Sequence, residues 1–392
     1  MPEKLKVEKL IPGGQALAAS SDGKKIFFWD ALPGEIVTEY TITKQKSHFL
    51  EAVATKIENP SNHRREPKDP CFLSTSPWQI MDFAYELEQK RELVRESLNQ
   101  EHIDLANLEI EPTQTDKTEW FYRNKMEYAL YWDHKLERIQ LAFHGRGTHG
   151  KIPIEQSSIE KPEIFQRAQE IIADLNASRE EARKYQSLLL RASQTGEVSG
   201  GLFENRKPHP VFKNLEDKIL GKTYSYSPNG FFQINLPVYE LALREIAKHI
   251  GTKKVLDLYA GVGTIGLSVA HNKDLTLVEV NGAAFTELKN NCKDTTANPV
   301  FAKSEDALDY IEPDQTVILD PPRAGCDKKL CERLLEVVPE KLIYLSCNPA
   351  TQARDVKFLT EKYIMERISP FNFFPKTPHI ENLVILSRKS VL

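Results

Sequence analysis

The sequence predicts an α/β protein. A Rossmann-like sheet spans residues 214–392, preceded by a small β-barrel at residues 1–59 and a central α+β domain at 60–213. Three observations predict this. After residue 214 apolar runs alternate with helical segments, the pattern of a parallel doubly wound sheet. Before residue 59 short alternating runs are punctuated by Gly and Pro, as in small barrels. Between them the polar, proline-rich tract PSNHRREPKDPC breaks the pattern. A chain of 392 residues, 40 % hydrophobic and 28 % charged, is long enough for two or three domains with real cores. Its 52 basic and 56 acidic residues give a net charge of −4. That excludes nucleic-acid binding by bulk positive charge, but not by a local basic groove.

Each element follows in order. KLKVEKL alternates, IPGG turns, and KKIFFW, EIVTEYTITKQ and EAVATKIE are further strands of the barrel. The tract after it carries His63, Arg64, Arg65 and Lys68, which join Lys44 and Lys46 as candidate phosphate contacts. Residues 78–100 have helical periodicity without Gly or Pro. EWFYRNKMEYALYWD and RIQLAFHG read as hairpin strands, EIFQRAQEIIADLNASREEARKY as a long helix, and LLLRASQ as a strand. Then KVLDLYAG, LTLVEV, TVILD and KLIYLSC read as parallel strands, each followed by a helix. Strands near YIMERISP and NLVILSR complete the sheet.

Five scattered cysteines, with no C-x-x-C pair, argue against a disulfide framework and offer no zinc or iron–sulfur ligand set by spacing. The start of the chain lacks the apolar core of a signal peptide, and no run approaches the roughly 18 apolar residues of a membrane span. A cytoplasmic protein, off the membrane and monomeric, is expected.

The segment from Asp257 to Gly266 joins the first strand of the sheet to its first helix and contains Gly261, Gly263 and Gly266. Such glycines let backbone N–H groups approach a ligand at a helix start. The spacing also fits a dinucleotide fold. Two acids favour another ligand. Asp257, four residues before the first glycine, suits a cationic amino group. Glu279, at the end of the next strand, suits a ribose diol. Together they describe S-adenosylmethionine, with NAD as the alternative.

TVILDPPRAG places Asp320 at the carboxyl end of a buried strand, where open α/β sheets hold ligands. The next strand ends in Cys347-Asn348-Pro349, beside the Asp320 loop. A helix start after it is expected to depress the thiol pKa. A thiolate beside a methyl donor points to one reaction. Carbon 5 of a pyrimidine is a poor nucleophile until a thiolate adds to carbon 6. Carbon 5 then takes the methyl group, a base removes its proton, and the thiolate leaves.

These residues resemble the RNA uracil-5 methyltransferases, which make 5-methyluridine in ribosomal or transfer RNA. The resemblance rests on DPPRAG, LSCNPAT and PKTPHIENLVILSR, with YSPNGFFQIN and YRNKMEY upstream, and spans nearly the whole chain. It implies a class I S-adenosylmethionine-dependent methyltransferase domain and a TRAM-like (OB-like) RNA-binding barrel. It also implies Cys347 as nucleophile and Glu381 as the base that takes the carbon-5 proton. By the same resemblance Gln233, Tyr259, Thr264, Glu279 and Asp320 line the cofactor and target base. Glu305 stands near the adenine, with Asp306 as its alternative.

Many family members bind a [4Fe–4S] cluster through four cysteines. Here Cys71 stands alone and IEQSS near Ser157 lacks a cysteine. One thiolate cannot hold a cluster, so an enzyme without an iron–sulfur cluster or other metal is expected. A uracil must be unstacked to react, and Phe231, Phe232, Phe373 and Phe374 are candidates to stack on it. Ribosomal RNA (23S) is the favoured substrate and transfer RNA the alternative. The rival functions are an NAD-binding oxidoreductase and an inactive RNA-binding factor.

Overall fold

The computed structural model describes residues 3–105, 107–146, 150–179, 181–209 and 211–390. The first sheet has six strands, ordered Leu5–Lys6, Ile36–Gln45, Phe49–Glu58, Lys25–Trp29, Ala16–Ala19 and Lys9–Leu10. Its two edge strands are successive pieces of one segment. Val7 N donates to Glu35 O (2.9 Å) and Glu8 N to Leu17 O (2.8 Å), so this segment bonds both edges and closes the sheet. Closure removes the exposed edges that would otherwise template aggregation.

Arg64 fastens this sheet to the following chain. Its Nε donates to Glu35 Oε1 (2.7 Å) and its guanidinium to Asp30 Oδ1 (2.9 Å) and Glu35 Oε2 (2.8 Å). This corrects the expectation of a phosphate-binding tract at Arg64. Its neighbours also have internal partners: the His63 ring stacks on Tyr85 at 4.1 Å, Arg65 approaches Asp82 at 3.4 Å, and Lys68 lies 4.0 Å over the Trp120 ring. Lys44 pairs with Glu51 at 2.8 Å.

The helix expected over residues 78–100 runs as Phe83–Gln100. Pro77–Ile80 forms a separate 3₁₀ turn because Met81 is extended and Asp82 caps the helix by accepting from Tyr85 N. The central sheet is antiparallel throughout, with Ser187–Ala192 between Val198–Glu204 and Lys125–Asp133, and Arg138–His144 beyond. Helix Pro162–Ala177 covers it with Ile164, Ala168, Ile172 and Leu175, an apolar stripe of helical period. The longer helix expected there ends at Ala177; Ser178 is its cap and Arg179 turns left-handed (φ 54°).

The carboxyl-terminal sheet holds β1 (Lys254–Leu258), β2 (Asp274–Glu279), β3 (Asn298–Phe301), β4 (Gln315–Leu319), β5 (Lys341–Ser346), β6 (Tyr363–Phe371) and β7 (Glu381–Arg388). Their order is β3-β2-β1-β4-β5-β7-β6. Around it lie α1 (Leu236–Ala247), α2 (Thr264–Val269), α3 (Gly282–Asn291), α4 (Lys328–Val337) and α5 (Pro349–Leu359). The sheet is mixed, not wholly parallel as the sequence predicts. β7 runs antiparallel to both β5 and β6. It follows β6 after a tight connection of residues 372–380, with no crossover helix to turn it parallel. β3 was not anticipated, since it is four residues long with a proline, as edge strands tolerate. Nor was the hairpin Leu215–Ile219 with Lys222–Tyr226.

One face of this sheet shares its core with the barrel and with Leu93, Val94 and Leu98 of helix Phe83–Gln100; the other packs against α1 and the 215–226 hairpin. The barrel docks through Gly14, whose carbonyl accepts from Trp78 Nε1 (3.0 Å). A Cβ at Gly14 (φ +91°) would stand 2.2 Å from Pro378 Cβ, whereas one at Gly13 (φ +97°) would meet nothing within 4 Å.

Both Gly13→Ala and Gly14→Ala impose a left-handed alanine, costing about 1–2 kcal/mol. Only Gly14→Ala adds the collision with Pro378, for a further 1–3 kcal/mol or so. Urea denaturation of the two variants should separate them by that second amount. Equal midpoints would show that the barrel does not bear on Pro378.

Candidate active site

A cavity of ≈ 960 Å³ opens at the carboxyl ends of β1, β2, β4 and β5, the edge where open α/β sheets bind ligands. The glycine loop forms its floor. Tyr259 (φ 65°), Gly261 (φ 58°) and Gly263 (φ 89°) carry the chain through three left-handed residues into α2. Tyr259, Gly261 and Thr264 face the cavity, and Thr264 Oγ1 lies 2.8 Å from the buried Tyr239 hydroxyl.

Two residues of this loop expected to bind the cofactor do not line the cavity. Asp257 is fully buried and absent from the cavity wall; its Oδ2 accepts from Gly266 N (2.8 Å) beneath the loop. Burial first, then the carboxylates of Asp320 and Glu279, push its pKa up to about 8. Its place is therefore structural: it ties the start of α2 to β1. Gly263 also lies behind the wall, where its missing Cβ makes room for Leu288 Cδ1 at 2.6 Å.

Glu279 lies where the sequence places it, at the end of β2 on the wall. Its Oε2 accepts from Gly261 N (2.8 Å) and its Oε1 from Asn281 N (2.5 Å), which hold the carboxylate at the rim. Beside it Val280, half exposed, and Ala283 and Ala284 form an apolar patch. Glu305 reaches the same end of the cavity from the 3₁₀ turn Ser304–Asp306, whereas Asp306 faces away, exposed. Gln233 lines the opposite wall, on the loop after the 215–226 hairpin.

That loop is held from the central sheet. Lys125 Nζ donates to Gly230 O (3.0 Å) and Asn124 Nδ2 to Gln233 O (3.2 Å), while the buried Arg191 donates to Phe232 O. Phe232 stacks on Tyr226 at 3.8 Å and Phe373 is fully buried, so these two are core residues, not free stacking faces. Phe232 reaches the cavity wall only from its stacked place in the core, beside Phe231, 75 % exposed, and Phe374, half-buried.

At the deep end Asp320 follows β4, Cys347 follows β5 and Glu381 begins β7, all on the wall. The loops are stitched together. Asn348 Nδ2 and Thr351 Oγ1 donate to Arg323 O at 2.9 and 3.1 Å. Gln352 Nε2 donates to Tyr344 O (2.8 Å) and Asn382 O (2.9 Å), tying β5 to β7. Arg323 and His379, inside the quoted motifs but given no role from sequence, both line the cavity. The guanidinium stands 3.3 Å from His379 Nδ1. Burial, then Arg323, lowers His379 to about 4, so it is neutral and free to accept.

The expected depressed thiol pKa is corrected. Burial, then the Glu381 and Asp320 carboxylates, raises Cys347 to about 11 against the pull of Arg323. The helix start does not rescue it, because Asn348 caps α5 and takes Ala350 N (3.3 Å) with its own side chain. Burial raises Asp320 to about 7, and burial with Asp320 raises Glu381 far above the usual carboxylate range. A thiol and two carboxyls thus share one end of the cavity with one guanidinium.

Cys71 is buried in the core of the central sheet, its thiol pushed up to about 11 by burial and Asp69. Among the described residues no group of three His, Cys, Asp or Glu side chains is placed to hold a metal ion. No helix among them is long and apolar enough to cross a membrane.

Residues 307–389 match the family model described as tRNA (uracil-5-)-methyltransferase, and residues 239–343 match that of the methyltransferase small domain. An RNA methyltransferase of Bacillus cereus is 30 % identical, aligned over 93 % of this chain and 92 % of its own. One of Staphylococcus aureus is also 30 % identical, over 93 % of each. The crystal structure of Pyrococcus abyssi tRNA (uracil-54, C5)-methyltransferase with S-adenosyl-L-homocysteine has the same fold. The TM-score is 0.76, with 24 % identity over 98 % of this chain and 100 % of that one.

Because only the thiolate is alkylated, a thiol at about 11 should react slowly at pH 8. The expected rate is about 100-fold below that of an ordinary cysteine, rising about tenfold per pH unit. Arg323→Ala removes the one cation that favours the thiolate and should slow alkylation further. Peptide mass spectrometry of iodoacetamide-treated protein reads these rates at Cys347. Fast, pH-independent labelling at pH 7 would restore the depressed-thiol expectation.

Proposed function

The chain belongs to the RNA uracil-5 methyltransferase family, and on that premise we propose that it methylates carbon 5 of a uridine in RNA through a transient bond between Cys347 and carbon 6. The observation that carries the reading is the meeting of Asp320, Cys347, Glu381 and Arg323 at the deep end of one cavity. An NAD-dependent hydride transfer gives the thiol no task. An inactive binder needs none of the buried acids.

The residues of the outer cavity fit S-adenosylmethionine. The Glu279 carboxylate, fixed by two backbone N–H groups, offers its remaining lone pairs to a ribose diol. Val280, Ala283 and Ala284 offer an apolar seat for adenine, with Glu305 at its edge. Asp257 and Gly263 are left out of this assignment, since they lie behind the wall. When bound, the cofactor supplies an electrophilic methyl group.

The protein's own residues do the rest. A target uracil enters beside Phe374 and His379. Cys347 Sγ bonds carbon 6 as its proton passes to Asp320, whose pKa of about 7 leaves it partly ionised at neutral pH. Electrons of the 5,6 double bond move to carbon 5, which takes the methyl group. Glu381 then removes the carbon-5 proton, and its raised pKa makes it a strong acceptor once ionised. The double bond reforms, the carbon–sulfur bond breaks, and the thiolate recovers its proton from Asp320.

Ribosomal RNA is the substrate favoured from sequence, on the strength of the barrel. The barrel does not decide between RNA classes, because the archaeal transfer-RNA enzyme aligns over 98 % of this chain. The test is nucleoside mass spectrometry of both RNA classes from cells lacking the protein, before and after treatment with it. The expected result is 5-methyluridine missing from ribosomal RNA, restored by the intact protein and not by Cys347→Ala. Loss from transfer RNA would move the substrate and keep the chemistry. Loss from neither would overturn the proposal.

A further inference from the structure

Helix Phe83–Gln100 buries an ion pair where a helix of its amphipathic type would place apolar residues. Glu86 and Lys90, one turn apart, are fully buried, with Nζ 3.1 Å from Oε1. A buried pair is expensive to desolvate and is a poor source of stability. Its polar atoms turn away from its own helix. Lys90 Nζ donates to Asn372 Oδ1 (2.5 Å) and Phe374 O (3.0 Å). Glu86 Oε1 accepts from Asn372 Nδ2 (3.0 Å) and Lys376 N (3.0 Å). Lys376 is itself buried and left-handed (φ 62°), with Nζ 2.8 Å from Glu119 and 3.6 Å from Glu86.

The chain so gripped is the connection between β6 and β7. The carbonyls of Phe373, Pro375 and Lys376 are also held from outside, by Asn235 Nδ2 (3.2 Å), Tyr122 OH (3.0 Å) and Trp78 N (3.0 Å). Phe374 lines the active-site cavity, and five residues after Lys376 the same connection delivers Glu381. We propose that the Glu86–Lys90 pair is a positioning device for the base side of the active site, fixing residues 372–376 and through them Phe374, His379 and Glu381. The inference rests on the reading of Glu381 as the base that takes the carbon-5 proton.

If the pair sets Glu381, its loss should slow proton removal after the methyl group has been transferred, and the covalent methylated adduct should build up on ordinary uridine RNA. Removing one partner strands a buried charge, so the variant is Glu86→Leu together with Lys90→Met, which conserves volume without charge. Should that chain not fold, Asn372→Asp conserves volume and sets a carboxylate against Glu86. Either is assayed on the RNA identified by the nucleoside experiment, with Glu381→Gln as reference. The expected result is a kcat lowered about 100-fold, the scale of a 1 Å misplacement. S-adenosylhomocysteine affinity should stay unchanged, and an RNA-linked band should appear on denaturing gels as it does for Glu381→Gln. A folded variant with wild-type kcat overturns the proposal. So does a lowered kcat without the adduct, since the loss then precedes the base's step. Absence of the adduct in Glu381→Gln itself would instead remove the reading of Glu381.

Discussion

The direction of one strand organises the active site. β4 and β5 are parallel and end at the same edge of the sheet, delivering Asp320 and Cys347 there. β7 lies next to β5 but runs the other way, with Ser346 opposite Asn382. Its first residue, Glu381, therefore starts at the edge where its neighbour ends. In a parallel strand the same residue would stand at the opposite end of the sheet. The antiparallel insertion thus brings a carboxyl beside the thiol, and Gln352 locks it by bridging Tyr344 O and Asn382 O.

The electrostatics follow from that crowding. Three ionisable groups buried side by side are costly to charge together. The thiol and both carboxyls are pushed toward their neutral forms, and Arg323 only partly opposes this. Burial favours the protonated form of all three groups, whereas the proposed reaction needs both carboxyls ionised: Asp320 to take the thiol proton and Glu381 to take the carbon-5 proton. The outer cavity is built differently, with a carboxylate held ready by backbone N–H groups beside an apolar seat. The two ends of the cavity match two tasks, holding a nucleoside and handling protons.

Much of the fold was legible because the signals were local. Apolar runs and turn residues located most strands, whereas periodicity alone begins the first long helix at residue 78, ahead of the Asp82 cap that sets its start. The site was legible where a motif sits at a strand end, as at Asp320, Cys347 and Glu279. It was illegible where orientation decides. Asp257 has a ligand's residue type and position, but its side chain points beneath the loop to Gly266. Arg64 looks like a phosphate contact, yet Asp30 and Glu35, about thirty residues earlier, take it up. Phe232 and Phe373 are core while Phe231 and Phe374 are not, which no spacing reveals. The Glu86–Lys90 grip joins residues more than 280 apart in sequence, so no window along the chain contains it.

The proposed chemistry turns on a bond between Cys347 and carbon 6 of a uracil. Its most direct measurement replaces the target uridine by 5-fluorouridine, whose carbon-5 substituent cannot leave as a proton. The protein is incubated with this RNA and S-adenosylmethionine, digested, and the cross-linked peptide sequenced by mass spectrometry. One methylated nucleotide attached to Cys347 is the expected result. Attachment at another residue, or no attachment from protein that still methylates the ordinary RNA, would contradict it.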